Sequence, residues 1–234
     1  FEHMMFQRSK HVPEDQFFKI LEGAGASDVN GTTDNDRTNY FETMPANRLE
    51  LALWLESDRM GYLMDVLDSA SLENQKDVVR NERRQQTENR PFGIVEETLV
   101  QNIFPAGHPY HSNVIGSHED IQAANLEDVR DFFQKFYGPN NASIAIVGDI
   151  QKPDALKLVE KYFGSIKPSP EVKKMRPQMP VLATDQYFNY TDNTYLPLTL
   201  MVYPTSPLYS KDEPAVDIMA SMMADGNNSL FYKN

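Results

Sequence analysis

Residues 1–25 read as two helices meeting near residue 11. Pro13 and Glu14 open the second, Phe17, Ile20 and Leu21 repeat at helical spacing along it, and Gly23 and Gly25 end it. Residues 28–33 and 37–43 are rich in Thr, Tyr and Phe and flank Asp34-Asn35-Asp36, a pattern that predicts a hairpin of strands. A long helix is expected after Pro45. Leu49, Leu53, Met60 and Leu63 recur on one face of it, with Arg48, Glu50, Glu56 and Asp58 off that face, so it should lie on a sheet.

Residues 71–89 predict a polar helix whose main apolar pair is Val78 and Val79, and Pro91 helps to separate it from a helix through Val95, Leu99 and Ile103. Asn125 suits the N-cap of a helix carrying Leu126, Val129, Phe132, Phe133 and Phe136. Asn140-Asn141 then turns into a strand at 143–147. A further helix runs over 153–163 and stops at Gly164. The Pro- and Lys-rich residues 168–180 read as a linker between a first domain, 1–167, and an unfinished second unit, 181–234, with strands around 186–190 and 198–203 and a helix from about Glu213. Strands mixed with helices without regular βαβ alternation, and with a hairpin, indicate an α+β class: helices covering one face of a mainly antiparallel sheet.

Composition narrows the function classes. A formal charge of −12 argues against a nucleic-acid partner, which needs Lys and Arg gathered on one face. No apolar run approaches the ~20 residues of a membrane span. With no cysteine in the chain, disulfides, thiolate metal sites and cysteine nucleophiles are excluded.

The candidate chemistry begins at Glu2 and His3. A residue four positions before His3 would share its helical face; were it His, the run would be H-x-x-E-H, where two imidazoles bind one zinc and the glutamate faces the metal-bound water. A Glu-His pair by itself is most often plain surface. A third ligand is needed, and Glu82 follows Val78 and Val79 by four and three residues, on the helix face those valines should bury. A buried carboxylate needs a partner, and a divalent cation is one. The competing reading is a surface glutamate paired with Arg83 or Arg84.

Phe1-Glu2-His3-Met4-Met5-Phe6-Gln7 resembles the second half of the metal motif of the pitrilysin/insulinase family of zinc peptidases, and Glu82 falls 79 positions after His3, close to that family's distal glutamate ligand. Gly25 to Thr33 with Thr38-Asn39-Tyr40, then His108-Pro109-Tyr110-His111, Ile115-Gly116-Ser117 and Val147-Gly148-Asp149, match in order, so the resemblance covers essentially the whole chain. It implies a metallohydrolase fold like that of mitochondrial processing peptidase, with homologous α+β domains, two per half, enclosing a chamber. It also implies a zinc-dependent endopeptidase or oligopeptidase acting on unstructured peptides, with the first motif histidine lying outside this sequence and the fragment itself inactive. Glu2 would be the general base, His3 and Glu82 zinc ligands, and Asn30, Gly31 and Thr32 an edge strand pairing with extended substrate. A homodimer or a partner half fits the same plan, as does a bacterial periplasmic or cell-envelope location.

The alternative is a non-catalytic member or subunit using the chamber fold for peptide binding or assembly. Departures from the family pattern are Arg8 where glycine is usual, Gln75 where a second glutamate often stands, and Leu230 in place of an arginine. His108 and His111 read as loop-packing residues because Pro109 disfavours a helix between them. His118-Glu119-Asp120 reads as the start of a short helix.

Overall fold

The computed structural model describes residues 1–233. The elements follow in the order α1 (Phe17–Gly23), β1 (Ser27–Thr33), β2 (Thr38–Thr43), α2 (Leu49–Tyr62), α3 (Ser69–Arg83), α4 (Val95–Ile103), α5 (His118–Ala123), α6 (Leu126–Phe136), α7 (Lys152–Phe163), α8 (Glu213–Ala224) and α9 (Leu230–Lys233). They fall into two compact units, Phe1–Pro177 and Gln178–Asn234.

In the first unit, the expected hairpin forms as an antiparallel β1–β2 pair, with Gly31 opposite Tyr40 and Thr33 opposite Thr38. Its register shifts between Ser27 and Asn30. Asp28 lies in this irregular stretch at φ +54°. Because side chains alternate faces along a strand, this shift decides which residues of β1 point inward. Ladder pairing among the described residues is confined to this hairpin and an isolated bridge between Ser9 and Val12. The strands expected at 143–147, 186–190 and 198–203 form no ladder, each lacking a neighbouring strand to take its backbone groups.

The first segment forms a 3-10 turn at Glu2–Phe6 rather than a regular helix, and the helix expected from Pro13 begins at Phe17. Burial fixes that turn. Met4 enters a cluster with Leu67, Leu72 of α3 and Val129 of α6, while Met5 enters another with Leu63 and Phe133 of α6. Two adjacent anchors leave Glu2 and His3 half-buried at a defined place. A third cluster joins Val12, Phe17 and Leu21 to Leu55 of α2, with α7 lying along α2.

Two expected helix faces need correction. Asp58 and Arg59 of α2 are buried, because Asp58 accepts hydrogen bonds from Ser9 and from the His11 main chain, 3.2 Å away, and contacts the His11 ring. On α3 the buried positions are Ser71, Leu72, Gln75, Lys76 and Arg83, whereas Val78 is 42% exposed. Glu82 therefore does not share a buried valine face. Elsewhere local signals hold: Asn125 caps α6 in a capping box with Asp128, and α7 ends at Gly164. No helix among the described residues is long and apolar enough to cross a membrane.

Candidate metal centre

Helix α3 is held at its start by Asp68, which accepts from the Ser71 main chain at 2.9 Å and pairs with Arg8. These hydrogen bonds, the Ser71 main-chain bond foremost, hold the Asp68 carboxyl below its ordinary range. Arg8, where the resemblance expected glycine, thus ties the Glu2–Phe6 turn to the helix that carries Glu82. Gln75 is buried on α3, and Leu230 opens α9 in the second unit.

At its other end α3 passes into a π-helical turn, Arg84–Glu88. Gln86 in that turn donates to Glu82 Oε1 at 2.8 Å, fixing one carboxylate oxygen. The other, Oε2, lies 3.3 Å from Nε2 of His3, and both side chains are about one-third exposed. The separation bears on zinc: two N or O donors about 2.0–2.1 Å from one tetrahedral ion stand about 3.3 Å apart. An imidazole nitrogen and a carboxylate oxygen are donors that zinc accepts, so these two residues fit such an ion as two of its ligands. Among the described residues no group of three or more His, Asp or Glu side chains is arranged around one point.

Glu2 faces the hairpin. Its Oε2 accepts a hydrogen bond from Thr33 Oγ1, which lies 3.1 Å from Thr38 Oγ1. Gly31 is close beneath: a Cβ there would come within 3.3 Å of Glu2 Cδ and 3.2 Å of Phe6 and Tyr40. Gly31, Thr33, Thr38 and Tyr40 thus share the hairpin face turned to Glu2, and Asn30 and Thr32 alternate to the other face. Asn30 Oδ1 accepts from the Gly31 N–H at 2.8 Å, and Thr32 donates to Asn39. The edge of β1 away from β2 has no strand beside it among the described residues.

Behind Tyr40 lies a charged cage. The Arg59 guanidinium sits 4.4 Å from the Tyr40 ring, 4.5 Å from Phe17 and 5.0 Å from Phe6, and it donates to Glu56 through Nε at 3.0 Å. Such cation–π contacts partly replace the water that a buried guanidinium loses. Burial, reinforced by the Glu56 charge and opposed by Arg59, pushes the Glu42 carboxyl up to about 7. Tyr40 and Tyr137 join hydroxyls at 2.8 Å, and burial raises both phenols, so both stay protonated near neutrality.

The remaining histidines lie outside this cluster. His108 stacks on Phe104 at 4.6 Å, His111 Nδ1 bonds the Phe104 carbonyl, and His118 opens α5 against Glu88.

Residues 1–115 match the family model described as insulinase, peptidase family M16, and residues 123–234 match the peptidase M16 inactive domain. This chain belongs to peptidase family M16. It is 29% identical over 97% of its length to zinc protease PqqE of Helicobacter pylori. It is 30% identical over 71% of its length to the probable zinc protease PqqL of Haemophilus influenzae, of which it covers 18%. A solved protease from Helicobacter pylori superposes with a TM-score of 0.82 at 27% identity, covering 99% of this chain and 56% of that one. The chain spans 51% of the first relative's length, so it corresponds to about half of such a protein. The α+β fold, helix-rich with a small antiparallel sheet, is the fold of M16 proteases, and the relatives' names associate that fold with zinc and proteolysis.

Sequence reasoning missed Gln86, Tyr137 and Arg59, and it gave no role to Thr33 and Thr38 although both lie in the matched strand segments. Strand alternation counted from Gly31 would have pointed to Thr33. Nothing local signals the others.

Proposed function

We propose that this M16 chain carries part of the active site of a zinc-dependent endopeptidase or oligopeptidase that hydrolyses unstructured peptides. In this reading His3 and Glu82 are two zinc ligands, Glu2 is the general base, and Asn30, Gly31 and Thr32 form the edge along which an extended peptide pairs. The single observation that carries it is the 3.3 Å approach of His3 Nε2 to Glu82 Oε2 across 79 residues, with Glu2 beside them. Zinc held there would supply Lewis acidity, polarising the scissile carbonyl and acidifying the attacking water. Glu2 accepts the proton of that water at Oε1, which takes no hydrogen bond from the described residues, and later delivers it to the leaving amine. Added to the free edge of β1, a peptide gains main-chain pairing with little demand on its sequence. The same reading keeps residues 168–180 as the linker between a zinc-carrying domain, 1–167, and a second, homologous α+β unit, 181–234. A solved Escherichia coli protease described as periplasmic carries the same name, PqqL, as the 30%-identical relative from Haemophilus influenzae, and this supports a bacterial periplasm or cell envelope as the compartment.

Two substitutions in the intact protein test the roles. Glu2→Gln should keep zinc and peptide binding and lower turnover by roughly 10²-fold or more, the usual scale for losing general acid–base catalysis. Glu82→Gln, which replaces an anionic donor by a neutral amide, should lose zinc together with activity. Zinc lost from Glu2→Gln, or zinc and activity both retained by Glu82→Gln, would show the roles to be misassigned. The rival reading of a non-catalytic member gains if neither change affects hydrolysis.

A further inference from the structure

A general base must present one oxygen to water in a fixed direction, and a glutamate has three rotatable bonds with which to miss it. On this chain Glu2 stands on a short turn, so its direction must come from what surrounds the carboxylate. The inner face of the hairpin provides those surroundings. Gly31 lies beneath the carboxyl carbon, where a Cβ would come within 3.3 Å. Two residues along the same strand face, Thr33 donates its hydroxyl hydrogen to Glu2 Oε2. Directly across the ladder, Thr38 Oγ1 sits 3.1 Å from Thr33 Oγ1. A hydroxyl has one hydrogen and two lone pairs. With its hydrogen committed to the carboxylate, Thr33 is left an acceptor toward Thr38, so Thr38 donates and fixes the hydroxyl rotor.

We propose that Thr33, with Thr38 behind it, is a positioning residue that locks Glu2 Oε2 and thereby aims Glu2 Oε1 at the reacting water. The proposal rests on Glu2 being the base. The contact spans 31 residues of sequence and joins two segments that the core packs together, Tyr40 of the hairpin against the cluster of Met5 and Phe6 of the turn in the same cluster as Ala26 and Val29. A hydroxyl-to-carboxylate bond is charge-assisted, and loss of one such bond corresponds to about a tenfold change in rate.

The test is a double-mutant cycle in the intact protein, with an internally quenched peptide as substrate and zinc content measured for each variant. Thr33→Val, which keeps the shape and removes the hydroxyl, should lower kcat roughly tenfold with KM and zinc within twofold. Thr33→Ser should restore most of the loss. In a Glu2→Gln background, Thr33→Val should change kcat less than twofold, because the group it positions has gone. In a crystal structure of the metal-free Thr33→Val protein, the Glu2 carboxylate should have left its place above Gly31. The proposal is overturned by an unchanged kcat, by an equal loss in the Glu2→Gln background, by failure of serine to rescue, or by a Glu2 carboxylate that stays put. Should valine prevent folding, Thr33→Ala and Thr38→Val carry the same comparison, with a smaller loss expected for Thr38→Val. If Glu2→Gln itself keeps full activity, the base assignment fails, an outcome distinct from failure of the Thr33 role.

Discussion

Residues 1–177 and residues 178–233 are similar in kind, both rich in apolar side chains, yet only the first set buries them. Leu21, Leu55 and Leu63 are at most 1% exposed, whereas Leu198, Leu200 and Val202 are 52%, 51% and 43% exposed. Among the described residues after 177, Ser229 alone is buried. The difference lies in partners. In the first unit a hairpin and several helices present apolar faces to one another. In the second, two helices and extended segments offer too few faces to close a core. The candidate metal centre sits in the unit whose core closes, as it must if Glu2, His3 and Glu82 are to be held in place by packing rather than by the ion.

The largest effect that would sharpen this contrast is on folding itself. Residues 181–234 expressed alone should give no cooperative thermal transition by circular dichroism; a sharp transition from a monomer would break the comparison. Next in size, Leu55→Ala should cost about 2–5 kcal/mol in denaturant unfolding, the range for emptying a closed core site. Leu200→Ala in the same chain should stay within about 0.5 kcal/mol. A loss of 2 kcal/mol or more at Leu200 in the intact protein would mean that further chain covers that face.

A smaller effect concerns Glu42. Its folded-state pKa of about 7 lies above the ordinary 4.5, so the folded chain holds this proton more tightly than the unfolded one. Stability from this group is therefore full below about pH 4.5, falls as pH rises toward 7, and is lost above it. Glu42→Gln, neutral throughout, should gain roughly 1–2 kcal/mol above pH 7, after discounting for partial exposure to solvent, and converge with the unsubstituted protein near pH 4. Unfolding curves of both proteins across that range check the sign. A variant that is less stable at pH 8 would mean that Glu42 is held ionised by Arg59.

Local pattern made much of the framework legible. The hairpin, the Asn125 cap and the helices over 95–103, 126–136 and 152–163 follow from spacing and turn chemistry, because their hydrogen bonds close within a few residues. The burial of Asp58 and Arg59 was not legible. Asp58 is polar at a position where periodicity predicts surface, Arg59 beside it drew no expectation, and each is tolerated inside because partners wait elsewhere: Ser9 and His11 for Asp58, three aromatic rings for Arg59. The valine face assigned to α3 failed for the related reason that Leu72, not Val78, met the methionine of the N-terminal turn.

Taken by itself, the sequence determined what is local: the hairpin turn, where most helices after residue 45 lie, that no thiol chemistry is possible, and, through ordered motif matches, which family the chain resembles. Tertiary structure alone decided the site's geometry. It brought His3 to Glu82 and Thr33 to Glu2, with the irregular stretch around Asp28 turning Gly31 and Thr33 inward. The physical reason is range. Backbone propensity and periodicity act over a few residues, whereas a buried or chemically active polar group is specified by partners that only the closing of the core brings within hydrogen-bonding distance.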